Sequence, residues 1–146
     1  MNRFVTSRLA PSHRATLERI FFFHPEQSVF REVLVNHIGN YGSPQIVEVD
    51  NLLTINVPSL PGAQTLYAIE RLDTGDKLLG VMVIHRTNRF LLEMHHIAID
   101  PEITHWSKQG DFSVAALLID ELCRIGRRVQ GIEKVRLAYR RGEITL

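Results

Sequence analysis

A nearly unbroken apolar run from Leu78 to His85 is the feature that most limits how this chain can fold. Such a run is typical of a central strand that is covered on both faces, because neither side of the strand is polar. Before it, Asp73-Thr74-Gly75-Asp76 predicts a hairpin turn, since glycine adopts the left-handed conformation that these turns need. After it, Thr87-Asn88-Arg89 predicts a turn into a further strand that ends before Pro101. Together with a strand from Leu66 to Leu72, the pattern predicts an antiparallel meander of three strands.

Helical patterns come before this meander. Ser12 is a candidate N-cap for a first helix whose apolar side chains, among them Leu17 and Phe21, share one face. A second helix is predicted from Glu26 to His37, where apolar residues recur at helical spacing. The segment from Ile46 to Val57 alternates imperfectly and predicts a strand or a hairpin.

A strand, a helix and a further strand are predicted at the end of the chain. The helix is amphipathic and runs from about Phe112 to Val129, and the last strand runs from Lys134 to Tyr139. This order implies a right-handed crossover that sets the last strand parallel to the strand carrying Glu93. The chain is therefore predicted to form a single domain over residues 1–146, of the α/β (α+β) class, with a mixed sheet and helices on both faces.

The composition favours a globular protein of the cytoplasm. Hydrophobic residues make up 45% and charged residues 23% of the 146 positions, which is enough for a sizeable core. The longest apolar runs, such as Val114 to Ile119, are too short to span a bilayer, so no membrane partner is expected. The start of the chain does not resemble a secretion signal. The single cysteine, Cys123, cannot form an internal disulfide, which is typical of a reducing, cytoplasmic compartment.

Basic residues are concentrated between Arg124 and Arg141, where Glu133 is the single acid. Two interpretations stay open. The region is either a patch for the phosphates of a cofactor or of nucleic acid, or a solvated helix end whose cations complement the helix dipole. One aromatic residue, Tyr139, lies among these charges, which argues against a stacking platform for single strands. Nucleic acid is therefore not the expected partner.

The junction between the strand that ends before Pro101 and the helix that begins near Phe112 favours a phosphorylated cofactor. The amides at a helix start are unpaired, point outward and have the positive end of the helix dipole behind them. Glu93 lies within the strand, where a carboxylate can serve as a base beside that cofactor.

This order of elements resembles the GNAT N-acetyltransferase superfamily. Two stretches look like the third and fourth strands of that family. They are Asp76-Lys77-Leu78-Leu79-Gly80-Val81-Met82-Val83 and Leu92-Glu93-Met94-His95-His96-Ile97-Ala98-Ile99-Asp100-Pro101-Glu102. The resemblance covers the span from about Leu66 to Tyr139, around half of the chain.

The resemblance implies a binding site for acetyl-coenzyme A. In that family the fourth and fifth strands splay apart around this co-substrate, and here they are expected to diverge just after Ala98. The backbone of Ile97 and Ile99 is expected to pair with pantetheine in the manner of an added strand. Glu93 falls at the position of a general base, and His95, on the same face, is expected to share that role. The expected pyrophosphate loop consists of Gln109, Gly110, Asp111, Phe112 and Ser113.

The implied activity is acyl-coenzyme A-dependent N-acyl transfer, most simply of an acetyl group to the amine of a small molecule or peptide. The chain departs from the family pattern, since Phe112 and Val114 stand where the phosphate loop has small residues and Asp111 adds a negative charge. It also stops soon after Tyr139, which predicts a degenerate, C-terminally short member. The alternative is a non-catalytic GNAT-like binding or regulatory protein, in which Glu93 belongs to a cross-strand ion pair.

Without closing strands, the last predicted strand would be an exposed edge of the sheet. Exposed edges are usually covered, because their unpaired backbone groups recruit other strands. The segment from Ile46 to Val57 is one candidate cover, and a second copy of the chain in a homodimer is the other.

The seven histidines are not expected to bind a metal ion. In a regular strand His95 and His96 point to opposite faces, so they cannot readily share one ion. His85 is expected opposite Leu92, away from both. Hydrogen-bonded or surface histidines are the simpler interpretation.

Overall fold

The computed structural model describes residues 2–22, 42–106, 113–137 and 142–146, with only the backbone of residues 104–106. Within these ranges the chain forms a six-stranded mixed sheet and a separate two-stranded hairpin. The strands are β1 (Asn2–Thr6), β2 (Gln45–Val49), β3 (Leu52–Asn56), β4 (Gln64–Leu72), β5 (Gly75–Asn88), β6 (Leu91–Ile99), β7 (Lys134–Leu137) and β8 (Gly142–Thr145). The helices are α1 (Arg14–Phe22), α2 (Pro101–Trp106) and α3 (Ser113–Arg128).

The predicted meander is confirmed. β4, β5 and β6 are antiparallel neighbours at the centre of the sheet, whose strand order is β1-β4-β5-β6-β7-β8. Gly75 has a φ of +125°, as expected of the glycine in the β4–β5 turn. The apolar run in β5 is buried from Leu78 to Ile84, because it is covered on both sides.

Helices pack on both faces of the sheet, so the structure is a mixed α+β arrangement, as predicted. On one side, which we call the α1 face, Leu17, Ile20 and Phe21 pack with the hairpin and with Tyr67 in one core. On the other side, the α3 face, the buried stripe of α3 packs against β4, β5 and β6 in a second core. The stripe consists of Val114, Leu118, Leu122 and Cys123.

The parallel pairing predicted at the end of the chain is also confirmed, because β7 pairs in parallel with β6. The prediction of an exposed last strand is wrong. β8 pairs antiparallel with β7, and the Leu146 amide donates to the Glu133 carbonyl at 3.0 Å. The segment predicted to cover β7 instead forms the β2–β3 hairpin, which turns at Asp50 and Asn51 with φ values of 52° and 62°. Positive φ at both positions is the backbone geometry that two-residue hairpin turns require.

Besides β8, two further elements were not predicted. β1 pairs antiparallel with β4 at one edge of the sheet. α2 occupies the start of what was expected to be a polar loop. The Asp100 carboxylate caps this helix by accepting a hydrogen bond from the Glu102 amide at 3.0 Å, and Pro101 is its first residue. The first helix begins at Arg14 instead of after Ser12, because a 3-10 turn over Pro11–His13 precedes it. The helix predicted from Glu26 to His37 lies outside the described residues.

Candidate active site on the α1 face

A β-bulge in β6 decides which side chains meet on the α1 face. Val83 pairs with His96, and the next pair is Ile84 with Met94, so His95 is an extra residue in its strand. A bulge of this kind turns two successive side chains toward one face of the sheet. The prediction that His95 and His96 point to opposite faces is therefore wrong.

The ring contacts agree with this arrangement. The His96 ring lies 5.5 Å from the ring of Phe21 on α1, measured between centroids. The His95 ring lies 5.7 Å from the ring of His85 on β5. His85 was expected opposite Leu92, but it pairs with Glu93, because a second register shift lies nearer the β5–β6 turn, between Arg86 and Asn88. Among the described residues, no group of three His, Cys, Asp or Glu side chains is arranged to hold a metal ion.

Glu93 and His95, the two predicted catalytic residues, lie side by side. The Nε2 atom of His95 is 3.5 Å from Oε1 of Glu93, and the two side chains are 2% and 14% exposed. The other carboxylate oxygen of Glu93, Oε2, accepts a hydrogen bond from Nη1 of Arg136 at 3.2 Å. A buried imidazole and a mostly buried carboxylate therefore lie in contact, with a guanidinium against the carboxylate.

Arg136 is held from its other side by β8. Its Nη2 atom donates to Oε1 of Glu143 at 3.0 Å, and Lys134 lies 3.6 Å from Oε2 of the same carboxylate. The hydrogen bond from Arg136 stabilises the charged form of Glu143 and lowers the pKa of that carboxyl. The same contact, together with Glu93, raises the pKa of Arg136. Glu93 thus does lie in a cross-strand ion pair, in addition to its contact with His95.

A second ion pair ties α1 to the end of β6. Asp100 is fully buried, and its two oxygens accept hydrogen bonds from Arg19 at 3.3 and 3.1 Å. The hydrogen bond to Asp100 raises the pKa of the Arg19 guanidinium. This contact keeps α1 against the face that carries Glu93 and His96.

The predicted co-substrate region lies where β6 continues beyond β7. The described β6–β7 pairing runs from Leu91 to Met94 on β6 and ends at Leu137 on β7, whereas divergence was expected after Ala98. Ile97 and Ile99, in the continuation of β6, are half-buried and pack on the α3 face. The continuation of β6 therefore has no neighbour from the described part of β7.

The beginning of α3 lies beside this continuation. A methyl group placed on Gly80 would be 3.1 Å from both the Ala98 carbonyl oxygen and Cγ1 of Val114, and 3.4 Å from Cδ1 of Ile99. Val114 is the second residue of α3 and is buried, while Ser113 before it is exposed. The other residues of the expected pyrophosphate loop lie outside the described ranges; they are Gln109, Gly110, Asp111 and Phe112.

Arg3 is a residue of this region that sequence reasoning missed. Its Nη1 atom donates to the Ser113 hydroxyl at 2.8 Å, and its Nε atom donates to Glu70 at 3.0 Å. The contact places a cation at the first residue of α3. Arg3 could have been found only if β1 had been recognised as a strand beside β4.

The basic C-terminal region is partly neutralised in the fold. Arg124 is paired with Glu121 on α3, and both Lys134 and Arg136 contact Glu143. Glu121 and Glu143 lie just outside residues 124–141, where Glu133 is the single acid. The positive patch is therefore weaker in the fold than the number of charges in that window indicates. Arg140 and Arg141 lie outside the described residues.

Comparisons of the chain with protein-family models, with curated proteins and with solved structures find no match. Among the described residues, no helix combines the length and the apolar character needed to cross a bilayer. Any function must therefore be argued from the geometry of the site.

Proposed function

We propose that this chain is an acyl-coenzyme A-dependent N-acyltransferase with a GNAT-like fold, which transfers an acetyl group to an amine. The observation that carries the proposal is the continuation of β6 beyond its pairing with the described part of β7. Beyond Met94, the strand runs to Ile99 with no neighbour from the described part of β7, and α3 begins beside that continuation.

The proposed binding mode uses two general properties of protein backbone. The peptide groups of Ile97 and Ile99 pair with the amides of pantetheine, as in the addition of a strand to a sheet edge. The first amides of α3, from Ser113, face the pyrophosphate, since a helix N-terminus attracts anions. The guanidinium of Arg3, bound to Ser113, adds a positive charge at that position.

The proposed chemistry requires removal of one proton from the acceptor ammonium, so that the free amine attacks the thioester carbonyl. Glu93 and His95 are 3.5 Å apart and accept that proton as a pair. The acceptor is a small molecule or a peptide that approaches the α1 face.

The proposal is tested by following thiol release from acetyl-coenzyme A with a panel of amines. We expect Glu93→Gln to lower kcat/KM by about 100-fold or more, as loss of general acid–base catalysis usually does. Glu121→Gln is the matched control, because Glu121 lies on α3 and pairs with Arg124 away from the site. Thermal melting of both variants reports whether they fold. Absence of both calorimetric binding of acetyl-coenzyme A and thiol release would falsify the proposal.

One observation favours the second candidate, a GNAT-like binding or regulatory protein without catalysis. Both oxygens of Glu93 are engaged, and His95 is almost fully buried, as in a purely structural ion pair. In that case acetyl transfer is absent, and Glu93→Gln lowers the melting temperature without any other effect. The same two measurements therefore separate the candidates.

A further inference from the structure

Four strands place one polar side chain each in a row across the α1 face. His85 on β5 pairs with Glu93 on β6, Glu93 pairs with Arg136 on β7, and Arg136 pairs with Glu143 on β8. We call these four residues the charged row. Their neighbours Val135 and Ile144 face the other core, which shows that the row lies on the α1 face.

The charged row runs from β8, the last strand of the described sheet, into the interior of the sheet. Glu143 and Arg136 are 40% and 47% exposed, Glu93 is 14% exposed, and His95 beside it is 2% exposed. The successive contacts measure 3.0 Å from Glu143 to Arg136, 3.2 Å from Arg136 to Glu93 and 3.5 Å from Glu93 to His95. Arg136 thus takes one oxygen of Glu93, and His95 takes the other.

We infer that Arg136 is a positioning residue, which turns Glu93 toward His95 and shares its negative charge, so that His95 accepts the proton taken from the acceptor and can release it again. This inference rests on the proposed function of the same site. The step is a proton transfer alone: the ammonium loses one proton, the neutral imidazole of His95 becomes imidazolium, and Glu93 remains a carboxylate. A carboxylate beside an imidazole favours the imidazolium, and a guanidinium that shares the charge of the carboxylate weakens this effect.

Other charged and titratable groups lie around the pair. On β5 and β6 the nearby groups are His85 and His96. On α1, Arg19 is bound to Asp100 and Arg14 is bound to Glu18. On β7 and β8 the groups are Lys134 and Glu143, which contact each other. Arg136 is therefore the cation with a direct contact to Glu93 among the described residues.

If Arg136 had only a structural role, its loss would leave the titration of His95 unchanged. Exposed ion pairs contribute about 0–1 kcal/mol to stability, so the loss of Arg136 should change the melting temperature little. The loss of Arg136 should change the titration of His95 clearly, because the effect is transmitted through the shielded carboxylate of Glu93. The titration of His95 is thus the readout that separates the two roles.

The test is an NMR titration of the His95 imidazole in protein labelled with 15N-histidine. In Arg136→Gln we expect the midpoint of the His95 titration to rise by about one pH unit, because the charge of Glu93 is no longer shared with a guanidinium. In Glu143→Gln we expect it to fall, since Arg136 then acts on Glu93 alone. Arg136→Lys keeps the charge and should stay close to the wild type. Arg124→Gln, an exposed arginine paired on α3, is the control that should change nothing.

The outcomes separate this inference from the proposed function. If the wild type transfers acetyl groups but the His95 midpoint is the same in Arg136→Gln, the inference is overturned and the proposed function stands. If the midpoints move in opposite directions in the two variants but no amine is acetylated, the positioning role holds and the proposed function fails. Should Arg136→Gln not fold, the downward shift in Glu143→Gln decides, and its absence overturns the inference.

Discussion

Replacement of Arg19 by methionine should destabilise the protein strongly, because it removes the guanidinium that compensates a buried carboxylate. Asp100 is 0% exposed and accepts two hydrogen bonds from Arg19. Breaking a fully buried ion pair costs about 3–5 kcal/mol. Since Arg19 itself is 43% exposed, water solvates its end of the pair, and we expect a smaller loss of about 2–3 kcal/mol. For a chain of this length that corresponds to a drop in melting temperature of about 5–10 °C.

The measurement is urea unfolding of Arg19→Met, Asp100→Asn and the double variant. Asparagine at position 100 still accepts the Glu102 amide hydrogen bond and caps α2, so Asp100→Asn isolates the charge. The two losses should not add, and we expect a coupling energy of about 1–2 kcal/mol. Arg124→Met, at an exposed pair, should cost less than about 0.5 kcal/mol. If Arg19→Met costs no more than this control, the pair does not tie α1 to β6.

Three further outcomes are expected. Burial raises the pKa of Tyr67 to about 12, so the contribution of Tyr67 to stability should be constant below pH 10 and fall by about 2–3 kcal/mol between pH 10 and 12. Urea unfolding of Tyr67→Phe should not show this loss. Gly80→Ala should cost about 1–2 kcal/mol in the same assay, because the added methyl meets Val114 and a carbonyl oxygen, and an unchanged midpoint would contradict that packing. Arg3→Met should weaken acetyl-coenzyme A binding about threefold to tenfold in calorimetry, since a cation beside Ser113 is lost, and equal affinity would remove Arg3 from the site.

Local sequence patterns were sufficient to predict the centre of the fold. The apolar run in β5 and the turn glycine at Gly75 determine the meander, because each acts locally and allows few alternatives. The apolar stripe of α3 and the short connection to β7 determine the parallel crossover. β1 and β8 are short edge strands of mixed composition, so they were not predicted. The partner of β1 lies far away in the sequence, and the partner of β8 is a short strand without a periodic signal.

The candidate site was predicted only in part. Glu93 and His95 were identified, but the bulge at His95 leaves no mark in the sequence, since one additional residue in a strand has no special composition. That single residue reverses the side to which His96 points, and a second register shift, between Arg86 and Asn88, brings His85 opposite Glu93. α2 had a readable signal in Asp100-Pro101-Glu102, an N-cap followed by proline and an acid, which the prediction of a loop overlooked.

The most direct test of the account is an amide NMR titration with acetyl-coenzyme A. We predict shifts in the amide signals of Ile97 and Ile99, from pairing with pantetheine, and of Ser113, from the pyrophosphate. Adenosine 3′,5′-bisphosphate, which lacks the pantetheine arm, should leave the signals of Ile97 and Ile99 in place. If excess acetyl-coenzyme A moves none of these three signals, the continuation of β6 beyond β7 does not bind a thioester carrier.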